Sequence, residues 1–203
     1  MDETAGAGAG AGAGEGSKDL PEDLKLEIES HVMKLLSLTV TKTHAIPWEL
    51  LWNKENILAS KFYDLSENLI CVRGETTLPY TIQEIFQLLT RGDCRRDLDT
   101  LIDQTQRLKW FSCQTGVERL VYKPVWPTDP RDFCNITHWR LLDDGTLLLV
   151  AFSLPMDDLC PPQLKFVRGN LRLGGYALRH VPGGTKLYLV VQVFLFRSLC
   201  SDT

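Results

Sequence analysis

The spacing of apolar and polar residues divides the chain into a helical N-terminal part, a mixed middle and a strand-rich C-terminal part. In "PEDLKLEIESHVMKLLSL" the apolar residues recur at helical spacing, and Pro21 followed by two acids suits a helix N-terminus. The face predicted to pack on the core consists of Leu24, Ile28, Val32, Leu35 and Leu36. The aromatic, proline-broken "HAIPWELLW" that follows is predicted to pack as a turn or a short helix.

The middle of the chain is predicted to contain two strands and then two helices. "ILASKFYDL" and "NLICVRGETTL" have strand character and are joined by the polar "SEN". Thr81 and Glu84 have the spacing of a capping box, which predicts a helix that ends at Gly92. "RRDLDTLIDQTQRL" is predicted to continue as a second short helix, whose apolar face consists of Leu98, Leu101, Ile102 and Leu108.

From Lys109 onward the pattern predicts strands separated by the turn signals "QTG", "DDG" and "PGG". Because no strand alternates with a helix in this part, the sequence predicts an α+β fold in which the helices pack on one face of a long antiparallel meander. A curved sheet crossed by helices can enclose a ligand cavity.

The segment "KPVWPTDPRDF" contains three prolines, a tryptophan and the adjacent pair Arg131 and Asp132. It is either a proline-stiffened connector with a surface ion pair or the marker of a site. The strand that follows, "FCNITHWR", has Phe133, Asn135, Thr137 and Trp139 on one face and Cys134, Ile136, His138 and Arg140 on the other. Both faces mix polar and apolar residues, so alternation does not decide which one points inward.

Composition limits the function classes. The chain has 203 residues, and its "AGAGAGAGAGEG" repeat predicts a disordered leader over residues 1–18 that lacks the features of a signal peptide. Residues 19–196 suit a single domain. A net charge of −4 argues against nucleic-acid binding. The longest apolar runs are shorter than the roughly 20 residues of a membrane span.

Cysteine and histidine positions give no sign of a metal or cofactor site. The six cysteines include no C-x-x-C and the four histidines no H-x-x-x-H. Scattered cysteines of this kind are typical of a reducing compartment, which predicts a cytoplasmic protein. The sequence also lacks G-x-S-x-G and any recognisable Cys–His spacing, so we expect no enzyme activity.

Four features in order carry a family resemblance: "YKPVWPTDPRDF", the "DDG" hairpin, "FSLP" and "VRGNLRLGGYALRHVPGGTKLYLVVQV". From about Ile46 to Val193 the chain resembles the START (StAR-related lipid-transfer) family, whose Pro-Arg-Asp-[Phe/Tyr] element matches residues 130–133. The resemblance implies a helix-grip fold, in which a curved antiparallel sheet and its helices enclose a tunnel for one lipid. It also implies non-catalytic lipid binding or transfer, with transient membrane contact. The ligand would be a sterol, a phospholipid or another apolar molecule.

The resemblance further implies candidate lipid-binding residues. Arg95 matches the arginine that meets the phosphate in phosphatidylcholine-binding members, although Leu98 replaces the usual tryptophan. Phe133 matches a cavity-facing aromatic residue, which by alternation turns the same face of its strand inward. The candidate set is Arg95, Leu120, Tyr122, Phe133, Asn135, Thr137, Trp139 and Tyr176.

Two departures and three alternatives limit these assignments. Leu120 stands where those members have a tryptophan, which argues against a complete choline-binding cage. Thr137 stands where sterol-binding members have an arginine, which argues against a sterol. Alternatively, Arg95 forms a solvated ion pair, Asn135 and Thr137 lie on an exposed face, and the tyrosines only pack.

The end of the sequence departs from the family pattern. Family members continue after the last strand into a long helix that closes the tunnel, and even a four-turn helix needs about 14 residues. Here "LVVQVFLFRSLCSDT" ends the chain, so we expect an alternative C-terminus, by splicing or truncation, with an atypical tail at residues 197–203 and impaired lipid retention. The alternative function is a regulatory or protein-interaction domain whose open groove accepts a helix from a partner.

Overall fold

The computed structural model describes residues 20–39, 46–92 and 94–194, so the predicted leader and tail lie outside the described residues. Three helices and ten strands follow one another along these residues. They are α1 (Glu22–Thr39), β1 (Glu49–Lys54), β2 (Ile57–Asp64), β3 (Leu69–Leu78), α2 (Ile82–Thr90), α3 (Arg95–Leu98), β4 (Ile102–Trp110), β5 (Thr115–Tyr122), β6 (Arg131–Leu141), β7 (Leu147–Ser153), β8 (Val167–Arg168), β9 (Asn170–Val181) and β10 (Gly184–Phe194).

The strands form one sheet in the order β1-β2-β3-β10-β9-β7-β6-β5-β4, and the short β8 pairs in parallel with β6. All the other pairs are antiparallel. Strand β10 lies between β9 and β3, so the last described strand joins the N-terminal hairpins to the rest of the sheet. The α+β prediction is therefore confirmed, although the sheet is not a simple meander.

The helices lie on opposite faces of this sheet, so the prediction that they share one face is wrong. Helix α1 belongs to a core cluster that includes Ala177 of β9, whereas α2 packs in a second cluster with Leu178 of the same strand. Adjacent residues of a strand point to opposite faces. We call the two sides the α1 face and the cavity face, because α2, α3 and the cavities described below lie on the second one.

Local signals predicted the first two helices well. The buried residues of α1 include four of the five predicted ones, and Leu38 takes the place of Leu36, which is only partly buried. The capping box of α2 is confirmed, since Thr81 accepts a hydrogen bond from the Glu84 amide at 3.2 Å and its own amide donates to the Glu84 carboxylate at 2.8 Å.

Two predicted elements differ from the structure. The second helix ends at Leu98, and its predicted residues from Ile102 onward belong to strand β4, which pairs with β5. A short apolar run fits the period of a helix and that of a strand, and here the pairing with β5 determines that the segment is a strand. The segment predicted as a turn or short helix contains strand β1, which pairs with β2 through a two-residue turn at Glu55 and Asn56, both with positive φ.

The carboxylate of Asp132 has its ion-pair partners on other segments of the chain. This carboxylate is fully buried and forms ion pairs of 2.9 Å with Arg119 on β5 and 2.8 Å with Arg168 on β8. Arg131 donates a hydrogen bond to the carbonyl oxygen of Asp129 at 3.0 Å and lines a cavity. Asp132 therefore ties β5, β6 and β8 together on the α1 face, while Arg131 lies on the cavity face.

Candidate functional site

Two cavities of about 540 and 500 Å³ lie on the cavity face of the sheet. Their linings share residues of three different strands and of the start of β9, so the two cavities adjoin each other, and we call them together the cleft. The shared residues are Leu120, Tyr122, Asn135, Leu171 and Val191. Because α2 and α3 contribute to the first cavity and the loop between β5 and β6 to the second, the cleft runs along the sheet.

Apolar side chains dominate the cleft. The first cavity is lined by Phe86 and Leu89 of α2 and by Leu149 and Leu189 of the sheet. The second cavity is lined by Leu101, Val125, Trp126, Val191 and Val193, among others. Cavities of this size that combine apolar walls with a few polar groups are typical of sites for small organic ligands.

A charged cluster interrupts the apolar wall of the first cavity. Glu118 on β5 is only 6% exposed, and its two carboxylate oxygens lie 2.9 Å from Arg95 Nη1 and 3.3 Å from Arg107 Nη2. A buried carboxylate is costly unless it is paired, and here one arginine holds each oxygen. Because both arginines are themselves partly exposed, they remain accessible from the cleft.

Arg107 also connects this cluster to the next strand. It donates a hydrogen bond of 2.7 Å to the hydroxyl of Thr137, and its guanidinium lies 4.2 Å from the centre of the Trp110 ring. Burial lowers the pKa of Arg107, while the charge of Glu118 opposes that shift. With Asp99, the charged residues of the first cavity are two arginines and two carboxylates, so their formal charges balance.

All eight residues that the sequence predicted line the cleft. The first cavity is lined by Arg95, Thr137, Trp139 and Tyr176, and the second by Phe133. Both cavities are lined by Leu120, Tyr122 and Asn135. The structure thus resolves which face of β6 points inward. It also shows that Arg95 forms an ion pair, with the buried Glu118 as its partner. That these residues bind lipid stays a prediction.

Hydrogen bonds and ring contacts hold several of these side chains in place. The Asn135 amide oxygen accepts a hydrogen bond from Ser153 at 2.8 Å, and the Trp139 indole donates one to the Cys113 carbonyl at 3.1 Å. The rings of Tyr122 and Phe133 meet edge to face with centroids 5.6 Å apart. Burial, assisted by the charge of Asp99, raises the pKa of Tyr122 to about 12, so its hydroxyl stays protonated.

Sequence reasoning missed Glu118 and Arg107. Alternation along "GVERLVY" places Glu118 on the same face as Leu120 and Tyr122, so this residue could have been found once Leu120 was a candidate. Arg107 could not, because its segment was predicted to be helical and its partners lie on neighbouring strands. Within the described ranges, no three potential metal ligands lie together. The helices of the same ranges include none with the length and apolar character needed to cross a bilayer.

A sheet with helices on both faces and an apolar cleft that contains a few polar groups is typical of a protein that binds a small organic ligand. The START domain profile matches residues 48–197, and the chain belongs to this family. START domains are lipid-transfer modules. Family membership thus agrees with the resemblance carried by the "PRDF" element and its neighbours.

Solved structures show the same fold. Human StAR-related lipid transfer protein 5 aligns with a TM-score of 0.78 at 20% identity, over 89% of this chain and 87% of that chain. Human STARD10 aligns with a TM-score of 0.72 at 15% identity, over 92% of this chain and 73% of that chain. The predicted helix-grip fold is therefore confirmed.

A curated plant relative is similar over part of the chain. Protein ENHANCED DISEASE RESISTANCE 2-like of Arabidopsis thaliana is 32% identical over 103 residues, which are 47% of this chain. The match covers 14% of the length of that relative. The similarity is therefore one between about half of this chain and a small part of a much longer protein.

Proposed function

We propose that this START domain binds one lipid in its cleft and carries it between membranes without chemical change. The observation that carries the proposal is the pairing of a long apolar cleft with one charged cluster, Arg95–Glu118–Arg107. Lipid tails pass from a bilayer to an apolar protein cleft with little net change in hydrophobic free energy. Selectivity therefore depends on the few polar groups that meet the headgroup.

The geometry supports one orientation of the ligand. Its polar group meets Arg95, Arg107 and Thr137 in the first cavity, where hydrogen-bond donors and acceptors are available. Its apolar part lies against Val191 and Val193 of β10 in the second cavity. Each part of an amphipathic ligand then meets surface of its own polarity.

We assign the proposed transient membrane contact to the loop between β5 and β6, which contributes to the lining of the second cavity. Trp126 in this loop is 92% exposed, and its neighbour Val125 is 50% exposed. Tryptophan is favoured at the membrane interface, and lysine is favoured near anionic headgroups. Lys123 and Arg131 line the same cavity beside these apolar residues. The loop therefore presents an apolar tip with basic flanks to a lipid surface.

Native mass spectrometry of the protein purified from cells, followed by lipid identification, tests lipid binding. We expect one bound lipid per chain, and an Arg107→Gln variant with several-fold lower occupancy or a different lipid class. The matched control is Arg140→Gln, on the same strand as Thr137 but on the α1 face, where Arg140 pairs with Glu29 at 2.7 Å. Folded wild-type protein without any lipid, or equal occupancy in all three proteins, contradicts the proposal.

Vesicle flotation tests the membrane contact. With vesicles of phosphatidylcholine and phosphatidylserine, we expect Trp126→Ala to bind several-fold less than wild type, because the most exposed apolar side chain of the loop is removed. Tyr80→Ala is the control, since Tyr80 is 55% exposed at the opposite end of the sheet. Equal loss in the two variants contradicts the assignment of the loop.

A second candidate function is that of a protein-interaction domain whose groove receives an amphipathic helix from a partner. The observation that favours it is the exposed apolar surface of β2 and β3 on the cavity face, formed by Ile57, Tyr63, Ile70 and Val72. Apolar grooves of this kind bind helices in other systems. Copurification of lipid-free protein with one helical partner, lost in Ile70→Lys, would favour this function over lipid transfer.

A further inference from the structure

Strand β1 forms one edge of the sheet made by the described residues, and it is the more exposed of the two edges. Every residue of "ELLWNK" is exposed, with Leu50, Leu51 and Trp52 at 59%, 47% and 51%. An edge strand presents backbone donors and acceptors that pair readily with another strand. A fully exposed edge with three large apolar residues is therefore a candidate interaction surface.

A β-bulge decides which side chains of β1 share a face. The register with β2 shifts between Leu50 and Trp52, so Leu51 is the extra residue of the bulge. Glu49, Trp52 and Lys54 then pair with Lys61, Ala59 and Ile57, which are alternate residues of β2. Since alternate residues of a strand point to the same side, Glu49, Trp52 and Lys54 lie on one face. Without the bulge, Glu49 and Lys54 would lie on opposite faces.

We propose that two copies of this chain pair through β1, antiparallel and around a two-fold axis at Trp52. Leu51 is the extra residue of the bulge and is not counted in the register. This pairing then places Glu49 opposite the partner's Lys54, and Lys54 opposite the partner's Glu49. The two Trp52 side chains meet at the centre. Opposite charges and aromatic side chains facing each other across neighbouring strands both stabilise a sheet.

The pattern of the strand selects this register. A shift by one position sets side chains of opposite faces against each other, which the pleat of a two-fold pair does not allow. A shift by two positions sets one charged residue of each copy against the partner's Trp52 and moves the other beyond the end of the partner's β1, so neither charge faces its opposite. Intrachain contacts also hold both charges near the edge, because Lys54 lies 5.0 Å from the centre of the Trp52 ring and Glu49 lies 3.5 Å from Lys61.

Such an interface is small, because it consists of one six-residue strand from each copy. Interfaces well below the size of stable complexes are weak or transient. We therefore expect a dissociation constant on the order of 10 μM or weaker. Dimerisation through β1 leaves the loop between β5 and β6 free, because that loop belongs to the far part of the sheet.

Charge reversal tests the pairing with the full 203-residue chain. In Lys54→Glu, each Glu49 faces a glutamate of the partner, and in Glu49→Lys, each Lys54 faces a lysine. Sedimentation equilibrium is expected to show that each variant alone self-associates at least tenfold more weakly than wild type. An equimolar mixture is expected to form a heterodimer with about wild-type affinity, because both cross-strand pairs then regain opposite charges.

The mixture separates interface formation from folding, since two variants that had merely lost stability would not rescue each other. Circular dichroism spectra like that of the wild type confirm the fold of each variant. The proposal is supported if the mixture forms a heterodimer while each variant alone self-associates more weakly than wild type. A wild-type chain that stays monomeric at all concentrations, or a dimer that neither substitution weakens, overturns it.

Discussion

Arg107 on β4 reaches across strand β5 and donates a hydrogen bond of 2.7 Å to Thr137 on β6. The residue of β5 that lies beneath this bond is Gly116, whose register partner on β6 is Thr137. A Cβ atom at position 116 would lie 2.6 Å from Arg107 Nη1 and 3.0 Å from the carbonyl oxygen of Lys109. The absence of a side chain at Gly116 therefore lets the guanidinium cross the strand.

Gly116→Ala is expected to displace Arg107 from Thr137. The contact with the guanidinium can relax, but the carbonyl of Lys109 belongs to the paired strand and moves less easily. We expect a loss of about 1–2 kcal/mol in unfolding free energy and a several-fold loss of lipid occupancy. Urea unfolding and native mass spectrometry measure the two effects.

The control for this substitution is Gly74→Ala on β3, where an added Cβ meets nothing within 4 Å. We expect this variant to be as stable as wild type within about 0.5 kcal/mol. Unchanged stability and lipid occupancy in Gly116→Ala would show that Arg107 does not need the space over Gly116.

Asp132→Asn is expected to lower the unfolding free energy by about 3–5 kcal/mol, because it leaves Arg119 and Arg168 without their shared carboxylate. The side chain of Asp132 is 1% exposed and that of Arg119 is 11% exposed, so water cannot replace the lost charge. Urea unfolding is the measurement. Arg179→Gln, which breaks an exposed pair with Asp144 at 3.4 Å, is expected to cost less than about 1 kcal/mol. Similar costs for both substitutions would contradict the special role of Asp132.

Much of the fold could be predicted because its signals are local. The capping residues Thr81 and Glu84 are three positions apart, and the apolar stripe of α1 is continuous. The strand β1 also had a local signal, since Glu55 and Asn56 form the two-residue turn that joins it to β2. The prediction of a turn or a short helix for this segment was based instead on the proline and the aromatic residues before that turn.

The orientation of β6 could not be predicted from alternation, because both of its faces are covered. Ile136 packs in the α1 cluster, while Asn135 lines the cleft, and both are almost completely buried. The contacts of the charged residues in the cleft depend on residues that are far apart in the sequence. Arg107 meets Thr137, 30 residues away in sequence, only after three strands have paired. Such contacts follow from strand order, which the sequence did not reveal.

His138 is expected to make the stability pH-dependent. Burial and the charge of Arg140 lower its pKa from 6.5 to about 4, and the imidazole Nδ1 shares a hydrogen bond of 2.9 Å with Thr115. Below pH 6.5 the unfolded chain binds a proton that the folded chain does not bind until about pH 4. The stability that the neutral imidazole contributes is therefore complete above pH 6.5 and is lost as the pH falls towards 4.

The magnitude of this loss is roughly 1–3 kcal/mol after allowance for solvent screening. Urea unfolding of wild type and His138→Gln between pH 7.5 and 4 measures it, because other groups that titrate are common to both proteins. We expect the difference in stability between the two proteins to shrink by that amount over this range. A difference that stays constant with pH would show that His138 titrates normally in the folded state.

Phe133 and Gly169 are expected to be coupled. A Cβ atom at position 169 would overlap the Cε1 and Cζ atoms of the Phe133 ring, and the Gly169 amide is fixed by a hydrogen bond of 2.8 Å to the Asp132 carbonyl. Gly169→Ala must therefore push the ring towards the second cavity, at a cost of about 1–3 kcal/mol. In Phe133→Leu the overlapping ring atoms are gone, so the same change at position 169 should cost much less. A double-mutant cycle by urea unfolding measures this coupling. Additive costs would mean that the ring can move away freely, and Gly169 would then not determine how far Phe133 enters the cleft.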